Sequence, residues 1–183
     1  MDSDMWQERT ELLLNREQMQ RLHNARIAVI GLGGVGAYAA EMLARAGVGS
    51  LLILDSDNVS VSNRNRQLLA LESTTGRPKT EVMAERLRDI NPDLSLTIIN
   101  DYLTPENVEQ LLAGHQIDFL VDAIDTLSPK IALIRHCVSN KIPLVSSMGA
   151  GAKFDMTKVR IADISKSYNC PLAYILRKKL RKE

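Results

Sequence analysis

A cluster of four glycines within six residues constrains the fold of this chain more than any other feature. The sequence GLGGVG at residues 31–36 directly follows a short apolar run, RIAVI, and precedes an alanine-rich stretch. In this context the pattern G-x-G-x-x-G indicates a strand that turns tightly into a helix. A Cβ atom would obstruct the turn, the approach of a phosphate group and the packing of the helix on the strand. We therefore predict a βαβ unit with a phosphate-binding turn.

The alternation of short apolar runs and helix-length segments continues along the chain. Further apolar runs occupy residues 51–54, 94–99, 119–123 and 143–146. Helical segments are expected at residues 16–23, 37–45, 80–90 and 128–140, with another opening at residues 104–106. Most of the apolar runs are continuous, which is typical of a parallel sheet covered by helices on both faces. The sequence predicts an α/β fold: a Rossmann-like, doubly wound, mostly parallel sheet with helices on both faces.

Length and composition favour a single domain. The 183 residues, of which 45% are hydrophobic, suffice for one buried α/β core. We divide the chain into an N-terminal helical segment (1–25), a Rossmann core (26–151) and a C-terminal extension (152–183). The chain has 23 basic and 22 acidic residues, so its net charge is +1 and any contact with nucleic acid must be local.

Cysteine content and hydropathy favour a soluble, cytoplasmic protein. Cys137 and Cys170 are isolated in the sequence, so they cannot build a four-thiolate zinc site or a disulfide scaffold within one chain. The first four residues, MDSD, are acidic, and no apolar run approaches the roughly 18 residues of a membrane span. We expect no structural zinc and no membrane contact.

Asp55 indicates that the ligand of the glycine turn is a nucleotide. It follows Gly36 by 19 residues and ends the second apolar run, where a carboxylate can accept hydrogen bonds from ribose hydroxyls. NAD would satisfy this arrangement, because a helix N-terminus neutralises much of the charge of a pyrophosphate. ATP carries more negative charge and calls for additional cations and a metal ion.

Charged residues beyond the second apolar run favour ATP. Residues 57–67 read DNVSVSNRNRQ, and GRPKT at residues 76–80 opens the next helical segment, so that Arg66 and Lys79 could both face the phosphates. Asp122 and Asp125 lie at the end of the apolar run at residues 119–123 and just beyond it, in the crevice where open α/β sheets bind ligands. A carboxylate there could hold Mg²⁺, and we favour Asp125.

Residues 27–151 resemble the adenylating family that includes ubiquitin-activating enzymes and bacterial activators of sulfur-carrier proteins. The shared motifs are GLGGVG, LILDSDNVSVSNRNRQ, GRPKTEV, VDAIDTLSPK and PLVSSMGAG. The motif S-N-x-N-R-Q, together with the segments RIADISKS and CPLAYILRKKLR near the end, most resembles the tRNA threonylcarbamoyladenosine dehydratase branch. The resemblance implies an enzyme that uses ATP and Mg²⁺ to adenylate the carboxylate of a threonylcarbamoyl group on tRNA, which then cyclises with loss of water.

The resemblance also implies one set of residues around the nucleotide: Gly31, Gly33, Gly34, Gly36, Asp55, Asp57, Asn63, Arg66, Gln67, Lys79 and Asp125. The glycines would line the phosphates, Asp55 would hold the ribose, and Asp125 would position the metal and the adenylate. Arg66, Lys79 and Asp125 would be catalytic. Arg9 would be an arginine lent to the partner's site in a symmetric homodimer, and Arg16 is the alternative for that role.

Three other functions remain open from the sequence. An activator of a sulfur-carrier protein would share the adenylation step, but such proteins often carry paired C-x-x-C motifs, which this sequence lacks. A nicotinamide dehydrogenase would use the glycine turn and Asp55 equally well, but has no need for Arg66, Lys79 and Asp125 together. A non-catalytic nucleotide-binding or dimerisation module is the third.

The end of the chain carries two further expectations. The dehydratase branch continues beyond the position of Glu183, so we expect the chain to be a shortened form. The basic run RKKLRK at residues 177–182 is typical of a solvated helix face. In a family that acts on tRNA, the same run could contact the phosphate backbone.

Overall fold

A parallel sheet of five strands forms the centre of the chain. The computed structural model describes residues 6–181. The strands are β1 (Arg26–Ile30), β2 (Ser50–Leu54), β3 (Ser95–Ile99), β4 (Phe119–Asp122) and β5 (Leu144–Ser146). The α-helices are α1 (Glu8–Glu11), α2 (Arg16–Asn24), α3 (Gly36–Ala46), α4 (Lys79–Ile90), α5 (Val108–Leu112), α6 (Leu127–Ser139) and α7 (Pro171–Leu180).

The order of the strands places a ligand-binding crevice beside the glycine turn. The sheet runs β3-β2-β1-β4-β5, and every neighbouring pair is parallel. The chain builds outward from β1 to β3, then crosses to the other side of β1 to form β4 and β5. The reversal leaves a crevice outside the carboxyl ends of β1 and β4, which is where open α/β sheets bind ligands. The predicted Rossmann-like fold is confirmed.

Both faces of the sheet are buried, which explains the continuous apolar runs. Successive side chains of a strand point to opposite faces. On β1, Val29 packs with residues of α3 and α4, such as Ala40 and Leu87. Its neighbours Ala28 and Ile30 pack on the other face against α5 and α6. A strand covered on both faces has no polar positions to alternate with apolar ones.

The connection before α5 differs from the sequence prediction. We expected a helix opening at residues 104–106, but α5 begins at Val108. The Thr104 hydroxyl accepts the backbone N–H groups of Glu106 and Asn107, at 3.2 and 3.3 Å. The amide of Asn107 donates back to the carbonyl of Tyr102 at 2.9 Å. The N–H of Thr104 also donates to Oδ1 of Asn107 at 2.7 Å, and the N–H of Val108 donates to the carbonyl of Thr104 at 3.2 Å. These reciprocal bonds form a capped turn that leads into α5, so the predicted helix is present but begins a few residues later than expected.

The C-terminal part of the described chain is anchored through α7. Leu176 is fully buried against Ile131 and Ile134 of α6. The Sγ atom of Cys170 accepts the N–H of Ala173 at 3.4 Å and thereby caps α7, which supports a structural role for this thiol. None of the helices within residues 6–181 combines the length and the apolar character needed to cross a bilayer.

An ionic cluster joins α3 to α4 on the outside of the sheet. The buried carboxylate of Glu41 accepts hydrogen bonds from the guanidinium groups of Arg86 on α4 and Arg45 on α3. The hydrogen bond from Arg86 is the main cause that lowers the pKa of Glu41, and burial opposes it. The contact fixes α4, which begins with Lys79, relative to the helix of the glycine turn.

We expect Glu41→Gln to lower the free energy of unfolding by about 1 to 2 kcal/mol at neutral pH, because it removes a charged acceptor from two partly exposed arginines. The folded-state pKa of Glu41 lies below the unfolded value of about 4.3. Its contribution is therefore complete above that value and is lost as the pH falls through the folded-state pKa. Urea denaturation across a pH series should show the difference from wild type shrinking only in acid. The exposed Glu109→Gln should match wild type, and a difference independent of pH would contradict this account.

Candidate nucleotide-binding site

Gly31 and Gly36 form the turn itself. The N–H of Gly31 donates to the carbonyl of Leu54 at 2.8 Å, and its φ of +92° favours glycine. A Cβ atom at Gly36 would lie 1.7 Å from the carbonyl oxygen of Gly31. Neither position therefore accepts a side chain without displacement of the backbone that joins β1 to α3.

Gly33 and Gly34 are free of such backbone conflicts. A Cβ atom at Gly33 would meet only the side-chain amide of Gln67, at 3.8 Å. A Cβ atom at Gly34 would lie 3.4 Å from the carbonyl of Arg66 and close to its aliphatic side chain. The fold does not require glycine at Gly33, so the missing side chain leaves an open cradle at the start of α3, where backbone N–H groups attract phosphate.

Asp55 fastens the glycine turn to the end of β2. It is only 9% exposed. Its Oδ2 atom accepts the N–H of Leu32 at 2.6 Å, and its Oδ1 atom accepts the N–H of Asp57 at 2.8 Å. Because an ionised carboxylate has about four lone-pair sites, each oxygen can still accept a ribose hydroxyl.

Lys79 supplies a buried positive charge beside Asp55. It is the first residue of α4 and is 4% exposed. Its Nζ atom lies 2.7 Å from Oδ2 of Asp57 and 3.9 Å from Oδ1 of Asp55. Backbone hydrogen bonding fixes the approach, because the N–H of Lys79 donates to the carbonyl of Asp57 at 2.9 Å. The predicted residues Asp55, Asp57 and Lys79 thus lie together.

The segment between β2 and α4 brings Arg66 and Gln67 to the glycine turn. Asn63 stabilises the beginning of this segment, because its side chain accepts the N–H of Ser60 at 3.0 Å within a short 3₁₀ turn. Arg66 is exposed and lies against Gly34, and its guanidinium donates to the carbonyl of Ser62 at 3.1 Å. The Oε1 atom of Gln67 is buried and lacks a hydrogen-bond partner within residues 6–181, so it can accept a donor from a ligand.

The second arginine of this segment points elsewhere. Arg64 forms an ion pair with Glu72 and donates to the hydroxyl of Thr75 at 2.9 Å. Of the two arginines, only Arg66, which the sequence analysis named, lies at the glycine turn.

The two acidic residues at the end of β4 have different environments. Asp122 is fully buried and forms an ion pair of 2.9 Å with Lys130, which is also fully buried. Asp125 is exposed in the turn that follows β4. Asp122 therefore has no access to a ligand, whereas Asp125 does. Sequence reasoning missed Lys130 and Ser146, which both contact Asp122, because a single lysine next to a helix start resembles ordinary surface.

Arg9 and Arg16 lie away from the glycine turn of their own chain. The side chain of Gln7, two residues before Arg9, packs against Gly47, which precedes the amino end of β2. Arg16 begins α2, which leads into the amino end of β1. The nucleotide site is at the opposite, carboxyl ends of these strands. Both arginines are exposed.

The donor set fits a magnesium ion only together with a nucleotide. Within residues 6–181 no group of three or more His, Cys, Asp or Glu side chains is arranged to hold a metal ion. Mg²⁺ commonly binds one or two carboxylates, water and the phosphates of a substrate. Asp125 could supply the carboxylate beside the open cradle at Gly33.

The sequence pattern of the ThiF family matches residues 8–183, nearly the whole chain. The chain belongs to this family. The resemblance inferred from its motifs is thus confirmed.

Several relatives within the family are similar over most of this chain. The tRNA threonylcarbamoyladenosine dehydratase of Bacillus subtilis is 47% identical over 175 residues, which is 96% of this chain and 68% of the relative. The molybdopterin-synthase adenylyltransferase of Salmonella typhimurium is 37% identical and covers 84% of this chain and 61% of its own length. The crystal structure of E. coli tRNA N6-threonylcarbamoyladenosine dehydratase with ATP superposes with a TM-score of 0.94 at 44% identity, covering 100% of this chain and 76% of that chain.

We expect alanine at Gly33 to affect mainly nucleotide affinity and alanine at Gly36 to affect mainly stability. Gly33→Ala should change the free energy of unfolding by less than about 0.5 kcal/mol but weaken Mg-ATP binding about tenfold or more, because its methyl group enters the cradle. Gly36→Ala should cost about 3 kcal/mol of stability, because its methyl group overlaps a backbone carbonyl. Calorimetric titration and urea denaturation measure the two quantities. Normal ATP affinity in Gly33→Ala would show that no phosphate occupies the cradle.

Proposed function

We propose that the protein is an ATP-dependent tRNA threonylcarbamoyladenosine dehydratase that works as one adenylation domain. The carrying observation is the open cradle at Gly33 with charged groups on the elements around it: Arg66 lies against Gly34, Lys79 pairs with Asp57 beside Asp55, and the exposed Asp125 follows Ile124, which lies against Gly31. This arrangement suits a triphosphate bound with a metal ion. The names of the relatives support the choice of substrate, since the dehydratase of Bacillus subtilis is 47% identical.

The reaction begins with a carboxylate of the substrate. One of its oxygens bonds to the α-phosphorus of ATP, and the bond from that phosphorus to the bridging oxygen breaks, so pyrophosphate leaves. An atom of the carbamoyl group then bonds to the activated carboxyl carbon and loses a proton. AMP departs with one of the original carboxylate oxygens. The modified nucleoside has then lost one water, and ATP has become AMP and pyrophosphate.

Positioning and charge account for the catalysis, so no protein nucleophile is required. Backbone N–H groups at the start of α3 hold phosphate oxygens. Lys79 and Arg66 offset the charge of the leaving pyrophosphate. Asp125 would hold Mg²⁺, which when bound neutralises phosphate charge.

Preference for ATP over NAD follows from the same charges. NAD offers a single pyrophosphate, which the helix N-terminus can largely neutralise. Lys79 is nonetheless almost fully buried beside Asp55 and Asp57, although removing its charge from water is unfavourable. NAD would not require this additional cation, whereas a triphosphate would. The solved structure of the E. coli dehydratase with ATP bound supports the same ligand here.

The tRNA would contact a basic surface on α7. Lys178, Lys179 and Arg181 are exposed there, and they could bind phosphates. Arg177 is half-buried: it donates to the carbonyl and hydroxyl of Ser167, and its guanidinium carbon lies 6.0 Å from the ring centroid of Tyr174. Lys182, the last cation of the predicted run, lies outside the described residues. A cytoplasmic location would place the protein with its tRNA substrate.

Activation of a sulfur-carrier protein is the second candidate. The 37% identity with the molybdopterin-synthase adenylyltransferase of Salmonella typhimurium favours it, because that relative also adenylates. The two reactions share the first chemical step and differ in the carboxylate that is activated.

We expect the full-length protein to release AMP from Mg-ATP with tRNA bearing threonylcarbamoyladenosine and to leave a sulfur-carrier protein ending in Gly-Gly unchanged. The modified nucleoside should lose the mass of one water, measured by mass spectrometry of digested tRNA. Asp125→Ala should lower turnover by about a hundredfold or more, since a metal-binding carboxylate is lost. Asp93→Ala, an exposed carboxylate at the far edge of the sheet, should match wild type. AMP release driven by the carrier protein, with tRNA inert, would refute the dehydratase assignment.

We also propose a symmetric homodimer in which Arg9 acts in the partner's site. Arg9 is exposed and lies toward the amino ends of the strands, so it does not reach the nucleotide site of its own chain through the described contacts. A second copy could bring it there, because a two-fold axis repeats each contact in both directions. Arg16, exposed at the start of α2, is the alternative.

Mixed dimers test this assignment. Arg9→Ala and Asp125→Ala should each inactivate the full-length protein, and mixing the two should restore up to about a quarter of wild-type activity, because one site in a mixed dimer keeps both residues. Subunit exchange followed by an AMP-release assay measures the recovery. Arg16→Ala in place of Arg9→Ala is the matched comparison. Failure of both mixtures to recover, or a monomer in solution scattering, would rule out a shared site.

A further inference from the structure

Lys130 and Asp122 form an ion pair with no exposure to solvent. Both side chains are 0% exposed, and Nζ lies 2.9 Å from Oδ2. Burial is the main cause that lowers the pKa of Lys130, and the charges of Asp122 and Asp125 oppose that shift. A buried pair is seldom more stable than apolar residues of similar volume. A contribution to stability alone therefore does not explain why both charges are present.

The pair binds the backbone of the residue before Asp125. Lys130 donates to the carbonyl of Ile124 at 2.7 Å. Asp122 accepts the N–H of the same residue at 3.1 Å. Both backbone polar groups of Ile124 are thus held by the ion pair. Asp125 is the next residue, so the position of its Cα atom is set by these bonds.

Other contacts join the ion pair to the site. The hydroxyl of Ser146, at the end of β5, donates to Asp122 at 2.6 Å. Ala123 donates to the carbonyl of Ile30 at 2.9 Å, immediately before the glycine turn. The backbone of Ala123 also lies so close to Gly31 that a Cβ atom there would be 3.0 Å from it. The turn at residues 123–126 is therefore built between the glycine turn, β5 and α6.

We propose that Lys130, with Asp122 and Ser146, is a positioning residue that holds the carboxylate of Asp125 at the nucleotide crevice. A shift of the turn would leave both backbone polar groups of Ile124 without partners and would remove one hydrogen bond from each member of the buried ion pair, which is costly in a dry interior. The turn consequently has one stable arrangement before nucleotide binds. The inference rests on the proposed function, in which Asp125 contacts the metal and the adenylate.

A double-mutant cycle on the full-length protein tests the proposal. Calorimetry would give the dissociation constant for Mg-ATP in wild type, Lys130→Met, Asp125→Ala and the double variant. Residues that orient a metal ligand typically change affinity by about 10- to 100-fold, so Lys130→Met should weaken binding by about tenfold. In the Asp125→Ala background the same change should have less than about a twofold effect, because the residue that Lys130 orients is gone.

Two further variants separate positioning from stability. Leu133→Ala removes a buried side chain from the same helix, so it should lower the thermal midpoint but leave Mg-ATP affinity within about twofold. Ser146→Ala keeps the ion pair and serves if Lys130→Met does not fold. It should weaken Mg-ATP binding about threefold only when Asp125 is present, and it should speed hydrogen exchange of the Ile124 amide.

The outcomes distinguish this inference from the proposed function. Wild type that fails to bind Mg-ATP would overturn both. Wild type that binds it, together with Lys130→Met and Ser146→Ala variants of unchanged affinity, would overturn the positioning role alone. Equal weakening with and without Asp125 would also overturn it, because Lys130 would then act on the fold as a whole.

Discussion

The hydrogen bond from the N–H of Leu32 to the carboxylate of Asp55 is the contact on which the site depends. It joins the glycine turn after β1 to the end of β2, and at 2.6 Å it is short and charge-assisted. The other oxygen of Asp55 accepts the N–H of Asp57, which in turn pairs with Lys79. One carboxylate therefore organises the glycine turn, the proposed ribose position and the nearest cation.

Two buried lysines of the site differ in what their partners can do. Lys79 pairs with Asp57, whose side chain is 67% exposed, so that carboxylate can return to water when a phosphate takes its place. Lys130 pairs with Asp122, which is 0% exposed and has no such option. Replacing the carboxylate partner by a phosphate therefore costs little free energy for Lys79. The same replacement would cost much more for Lys130, because Asp122 would remain charged and buried. The first is suited to binding an anion and the second to holding a turn.

Much of the fold could be predicted because its signals are local. The apolar run at residues 26–30 matches β1, and the helix expected at residues 80–90 lies within α4, which begins one residue earlier. Near Thr104 the expected helix begins later than predicted, at Val108, because side-chain hydrogen bonds hold the preceding residues in a capped turn. For the site, the spacing of Asp55 behind the glycine turn pointed to its place. The motifs singled out Arg66, and in the structure it lies at Gly34, whereas Arg64 pairs with Glu72.

The sequence by itself determined the class of fold, the position of the glycine turn and the chemistry of the residues that follow each strand. These depend on periodicity and on glycine, whose effects act over a few residues. Only the tertiary structure decided that Asp122 is sealed by Lys130 and Ser146 while Asp125 faces solvent. The hydroxyl that completes the cluster lies 24 residues further along the chain, on β5. Residues so far apart in the sequence come into contact only when the sheet forms. Burial in the folded protein then removes water from each charge, so the charges need partners within the protein.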